Sequence, residues 1–227
     1  YKRQGDFCQE PTLIDGQIEW RSATATSLDP EILTTPATPF APNGGVKLLE
    51  GNLGRSVIKT SAVQEQHHIV EAPAVVIDDQ DDLKPLFEAG ELDKDCVVVV
   101  RFQGPAANGM PELHKLTPML GVLQDRGHKV ALVTDGRMSG ASGKVPAAIH
   151  LVPEASQGGP LAKIQTGDLI RLDATTGELS AKIDETELKS RTEAQAPNVP
   201  RTVGRGLFSN NRLAVSSAEE GASSLFI

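Results

Sequence analysis

Three short aliphatic runs do most to limit what this chain can fold into: Ala74-Val75-Val76-Ile77, Cys96-Val97-Val98-Val99-Val100 and Lys129–Thr134. Each is too short for a buried helix and is rich in β-branched side chains, so each reads as a buried strand. Further short apolar stretches lie between turn residues. Val46–Leu49 and Ser56–Thr60 flank Gly51-Asn52-Leu53-Gly54, and Ala147–Val152, Leu161–Gln165, Asp168–Asp173 and Glu178–Ile183 follow later. Helical patterns are fewer. Asp78-Asp79-Gln80-Asp81-Asp82 precedes a helix expected over Asp82–Ala89 and stopped by Gly90, with the acids complementing its dipole. Leu113, Leu116, Leu120 and Leu123 share a face of a helix expected to start at Pro111 and end at Gly127, with a kink at Pro118. Ile183–Ala194 is a polar helix candidate.

About nine strand segments and three or four helices describe a β-rich α/β domain, with a barrel-like sheet flanked by helices. Residues 1–45 read differently. Pro11, Pro30, Pro36, Pro39 and Pro42 punctuate an extended arm or interdomain linker with one short strand near Gln17–Arg21. Residues 46–227 form the domain proper. Aromatic residues are only 4%, so its core must be built from Val, Leu, Ile and Ala.

The net charge of −8 and the lack of a long basic run argue against nucleic acid as a partner. No apolar run approaches the ~20 residues of a membrane span. Only two cysteines occur, Cys8 and Cys96, without a C-x-x-C, which fits a reduced, cytoplasmic setting. Cys96 opens a buried strand and reads as a packed core thiol. The two cannot fully ligate zinc or an iron–sulfur cluster, so no cluster ligands are assigned in this chain. The carboxylates at Asp78–Asp82 lack the glycine and distal glutamate of a calcium loop. The five histidines make no metal pattern, although His150 lies close enough to the most unusual loop to orient it.

That loop is Asp135-Gly136-Arg137-Met138-Ser139-Gly140-Ala141-Ser142-Gly143-Lys144, and it follows the strand Lys129–Thr134. A phosphate loop ending at Gly143-Lys144 would need Gly at 138 and Ser or Thr at 145, where Met138 and Val145 stand. A nucleophile elbow fails at Arg137 and Ala141 when centred on Ser139, and at Lys144 when centred on Ser142. What is left is two hydroxyls among glycines, flanked by Arg137 and Lys144. This suits a polyhydroxylated or phosphorylated anion, and a plain flexible turn fits the composition equally.

The stretch Val130-Ala131-Leu132-Val133-Thr134-Asp135-Gly136-Arg137-Met138-Ser139-Gly140-Ala141-Ser142 resembles the C-terminal signature of the dihydroxyacid/6-phosphogluconate dehydratase family. Gly51-Asn52-Leu53-Gly54, Gly109-Met110-Pro111-Glu112-Leu113, His150-Leu151-Val152-Pro153-Glu154-Ala155, Gly158-Gly159-Pro160 and Gly167-Asp168-Leu169-Ile170 follow the family's order. Gly143-Lys144-Val145-Pro146 and Ser216-Ser217-Ala218-Glu219-Glu220-Gly221-Ala222 resemble its phosphogluconate branch.

The resemblance implies the C-terminal domain of a hydro-lyase, of the swivelling β/β/α type, inactive without a cluster-bearing N-terminal domain. The implied reaction converts 6-phosphogluconate to 2-dehydro-3-deoxy-6-phosphogluconate and water in the Entner–Doudoroff pathway. The implied cofactors are an iron–sulfur cluster, 4Fe–4S, held by the N-terminal domain, and Mg²⁺; a homodimer is the implied assembly. Two alternatives stay open: a family member acting on another sugar acid or dihydroxy acid, and a non-catalytic module that binds a sugar-acid phosphate.

By the same resemblance Ser139 is the base, acting as an alkoxide, and Ser142 holds the substrate carboxylate. Glu112 corresponds to a Mg²⁺ ligand, with a first-turn helix glutamate as the plain alternative. Lys144 is expected to bind the substrate phosphate. Arg137 either does so instead or pairs with Asp135.

Overall fold

The computed structural model describes residues 9–22, 29–35, 37–138, 143–198, 207 and 209–225. The chain divides into two compact units, Tyr1–Gly44 and Gly45–Ile227.

The first unit holds a hairpin where one strand was expected: β1 (Gln9–Ile14) pairs antiparallel with β2 (Gln17–Ser22). Asp15 and Gly16 both have positive φ, +50° and +77°, the geometry of a two-residue hairpin turn. Pro11 hid β1 in the sequence. In a two-stranded ribbon each strand has an unpaired edge, so a residue without an N–H is tolerated.

The second unit is a closed eight-stranded barrel. Its strands are β3 (Val46–Gly51), β4 (Gly54–Lys59), β5 (Ile69–Ile77), β6 (Cys96–Val100), β7 (Val130–Thr134), β8 (Ala147–Val152), β9 (Leu169–Asp173) and β10 (Glu178–Ala181). They run around the barrel in the order β10-β3-β4-β8-β7-β6-β5-β9. β5 to β8 are mutually parallel, whereas β3–β4, β4–β8, β5–β9 and β9–β10 are antiparallel. The β-rich α/β expectation therefore holds.

The unbroken apolar runs have a simple cause. Along β6, Val97 and Val99 point into the barrel, and Cys96, Val98 and Val100 point outward beneath helices. β7 repeats this, with Ala131 and Val133 inside and Val130 and Leu132 outside. A strand covered on both faces has no polar side to show. The outer layer is α1 (Leu83–Glu88) and α3 (Leu116–Asp125), whose Leu83, Leu116, Leu120 and Leu123 pack on those residues. Cys96 is fully buried there, and burial pushes its thiol up to about 11.

Asp79 caps the turn before α1: its carboxylate accepts from the Asp81 N–H at 2.9 Å, and its own N–H donates to Asp82 at 3.2 Å. Three other expectations are corrected. The helix expected from Pro111 starts at Leu116, because Glu112 is drawn into a β-bridge with Arg137. Pro118 then falls in the first turn, where an N–H would have no intrahelical acceptor, and this removes the reason for a kink. Leu161–Gln165 is not a strand; Pro160–Lys163 is a 3₁₀ turn that inserts Leu161 into the barrel core. The polar helix shrinks to α4 (Glu185–Ser190), capped by Asp184. A one-turn helix, α2 (Pro105–Asn108), occupies the glycine- and proline-rich loop after β6, and α5 (Ser209–Ala214) packs on it. No helix among the described residues is long and apolar enough to cross a membrane.

Candidate functional site

The parallel strands β6 and β7 deliver the loops after Val100 and Thr134 to the same end of the barrel, where α/β sheets commonly place ligand sites. Asp135 ties these loops together. It is fully buried, and its carboxylate accepts backbone N–H bonds from Gln103 at 2.9 Å, Phe102 at 3.2 Å and Ala155 at 2.9 Å. Two chain segments distant in sequence, Phe102–Gln103 and the one at Ala155, thus converge on one side chain. Burial pushes the Asp135 carboxyl up to about 6, and the nearby Glu154 charge adds to this, against the three N–H groups that favour its ionised form.

Glu154 does the same job one layer further out. It is buried and accepts from the N–H groups of Ala106 and Ala107, both at 3.0 Å, and from the Ser156 hydroxyl at 3.0 Å. A Cβ on Gly104 would lie 2.3 Å from its Oε2, so only glycine fits. Gly136 is equally constrained: a Cβ there would sit 2.7 Å from Cβ of Gln103 and 3.1 Å from Leu113.

Three non-glycine residues around this segment carry backbone strain. Phe102, Met110 and His150 have φ of +60°, +53° and +58°, a region that side chains disfavour. Each is hydrogen-bonded to the segment Asp135–Arg137. The Phe102 N–H donates to Asp135, the Met110 carbonyl accepts from Arg137 Nε at 3.0 Å, and the His150 N–H donates to the Gly136 carbonyl at 2.9 Å. Such strain persists where surrounding contacts over-determine it, and it concentrates at functional sites. His150 thus touches the loop through its backbone N–H. Its imidazole is held below the usual range by burial first and then by the Arg137 charge.

Ser139 and Ser142 lie outside the described residues. Glu112 and Arg137 are brought together: the β-bridge sets them side by side, and the guanidinium is 3.9 Å from the carboxylate. Arg137 does not pair with Asp135, whose oxygens are taken up by N–H groups within the interior, and Glu112 is not in a helix. Lys144 is exposed and forms an ion pair with Asp125 of α3. Among the described residues no three His, Cys, Asp or Glu side chains are placed to hold a metal. Glu112, with a guanidinium beside it, does not by itself make a Mg²⁺ site, and these residues do not fit a cluster.

Sequence reasoning gave Asp135 and Glu154 no role of their own. Both stand in motif segments, but nothing in the sequence shows which backbone groups a buried acid will meet.

The family model for "Dihydroxy-acid/6-phosphogluconate dehydratase C-terminal" matches residues 31–222. The chain belongs to this family. It is 58% identical over 96% of its length to a phosphogluconate dehydratase of Pseudomonas aeruginosa and 55% identical over 95% to that of Escherichia coli K12. A dihydroxy-acid dehydratase of Ignicoccus hospitalis is 35% identical over 92% of the chain. The chain spans about 36% of the length of the first two relatives and 38% of the third. Among these relatives the phosphogluconate dehydratases are the more similar, in line with the branch features read from Gly143–Pro146 and Ser216–Ala222.

Proposed function

We propose that this chain is the part of a phosphogluconate dehydratase that brings the proton-accepting loop to the substrate. The observation that carries the reading is the 58% identity to a phosphogluconate dehydratase over nearly the whole chain. The scaffold agrees with it: Phe102, Met110 and His150 are hydrogen-bonded to Asp135–Arg137, the segment that leads into the Ser139 loop, and positioning of this kind is what a proton transfer needs.

In this reading Ser139 accepts the C2 proton of 6-phosphogluconate. The C2–H electron pair becomes the C2–C3 double bond, the C3–O bond breaks, and one water is released. The enol then becomes the 2-keto product. An isolated serine hydroxyl is far too weak an acid to ionise near neutral pH, so the fragment alone is inert and Ser139 gains basicity only from charge placed beside it. Ser142 orients the substrate carboxylate. The same reading assigns a 4Fe–4S cluster to an N-terminal domain, together with a Mg²⁺ that Glu112 joins, and places a homodimeric enzyme in the cytoplasm, in the Entner–Doudoroff pathway.

The test adds a cluster-loaded N-terminal domain to this chain in trans. Dehydration of 6-phosphogluconate that appears only in the mixture, and disappears with Ser139→Ala, supports the lyase. Tight binding of the sugar-acid phosphate with no turnover in any mixture would instead make the chain a binding module. Faster turnover of gluconate or a dihydroxy acid would move the substrate to another family member's.

A further inference from the structure

Among the described residues from 11 to 44 none is buried, and Ile32, Leu33 and Phe40 are exposed, so the first unit shows no core to fold around. Its hairpin is two-faced. In the β1–β2 register Pro11 stands opposite Trp20 and Leu13 opposite Ile18, so these four side chains share one face. Thr12, Glu19 and Arg21 take the other, with Ile14 beside the turn. The apolar face is open: Leu13 is 73% exposed, Ile18 68% and Trp20, the chain's one tryptophan, 64%. A two-stranded hairpin alone is at best marginally stable in water, and this one turns its apolar strip outward. Such a strip needs a cover from outside the unit.

Two observations point to the occupant. The hairpin precedes residues 31–222, the part matched as C-terminal, yet the similarity to the Pseudomonas aeruginosa relative takes in 96% of the chain and so reaches the hairpin. The chain is about 36% of that relative's length, so the larger share of such an enzyme lies outside it. Size argues against a separate molecule. A stable interface between free partners takes about 20–30 residues a side, and the strip offers four side chains. A surface on the same polypeptide needs far less contact, because the covalent link keeps its effective concentration high.

We propose that the hairpin is a docking arm, whose face of Pro11, Leu13, Ile18 and Trp20 seats on an apolar surface of the N-terminal domain of the same polypeptide. Trp20 is the anchor, a large rigid aromatic of the kind that dominates such contacts. Thr12, Glu19 and Arg21 stay in water. The segment that reads as a linker thus holds the two domains together as well as joining them. This rests on the part of the proposed function that gives the enzyme an N-terminal domain, and not on the identity of its substrate.

The experiment is hydroxyl-radical footprinting of Trp20, read by mass spectrometry on the peptide that contains it, in this chain alone and in the full-length enzyme. Oxidation of Trp20 is expected to be about 5-fold or more slower in the full-length enzyme, as a mostly exposed side chain becomes buried. Equal rates in the two proteins overturn the proposal. So does slow oxidation in this chain alone, because the barrel unit or a second copy then covers the face. Protection that disappears when the full-length enzyme is diluted to monomers assigns the face to a second copy, and also overturns it. Full-length enzyme carrying Leu13→Ser and Trp20→Ser is expected to be cut by trypsin after Arg21 about 10-fold faster than wild type, since the arm is then released. An unchanged cleavage rate contradicts the docking. An enzyme that protects Trp20 but does not dehydrate 6-phosphogluconate refutes the substrate reading and leaves the arm in place.

Discussion

Asp135→Asn isolates the anchor of the loop. The folded protein holds the Asp135 proton up to about pH 6, whereas the ordinary carboxyl releases it near 3.8. Between these values the folded state binds more protons than the unfolded one, so raising the pH destabilises the fold. The contribution is fully present below the unfolded pKa and is lost as pH passes through the folded one. A gap of about two pKa units corresponds to about 3 kcal/mol. Asparagine cannot ionise, and it turns an amide toward one of the three N–H donors, which adds a pH-independent penalty of about 1–3 kcal/mol. The penalty shifts the whole curve and leaves its shape alone. The stability of wild type minus that of Asp135→Asn should therefore fall by about 2.4 kcal/mol between pH 4 and pH 7. Urea unfolding followed by far-ultraviolet circular dichroism at half-unit pH steps reads this difference directly. A difference that is flat, or that rises with pH, would mean that the N–H bonds outweigh burial and that the account of this anchor is wrong.

Gly136→Ala forces a methyl against Gln103 and Leu113, and should lower stability by about 1–3 kcal/mol, read as a reduced urea midpoint. Arg191 makes a two-pronged pair with Asp168 at 2.6 and 3.0 Å, with side chains only 14% and 10% exposed. Arg191→Ala leaves that half-buried carboxylate with only the Gln165 N–H at 2.7 Å and should cost about 1–3 kcal/mol by urea unfolding, whereas no measurable loss would show that water replaces the guanidinium. Cys96 should resist a thiol reagent at pH 8 in the folded protein and react on unfolding; prompt reaction under native conditions would contradict its burial in the β6–helix layer.

Sequence pattern reached the barrel because its strands carry their own evidence. Cys96–Val100 and Val130–Thr134 are apolar at every position but one, and only two-sided burial explains that. Where an element depends on a distant partner, pattern failed. Glu112 leaves the expected helix because Arg137 offers it a bridge, and Leu161 enters the barrel from a 3₁₀ turn although its short apolar run reads as a strand. The site was legible as motif but not as architecture. The order of Gly109–Leu113, Asp135–Ser142 and His150–Ala155 pointed to the family. The left-handed backbone at Phe102, Met110 and His150 arises from contacts between loops far apart in sequence, and no local preference of Phe, Met or His announces it.

The most direct measurement compares the rate of 6-phosphogluconate dehydration by full-length, cluster-loaded enzyme with and without Ser139→Ala. A loss of about 10²- to 10⁴-fold in kcat with KM little changed is expected for removal of a proton acceptor. A variant that keeps wild-type kcat would show that the loop held by Asp135 does not carry the base.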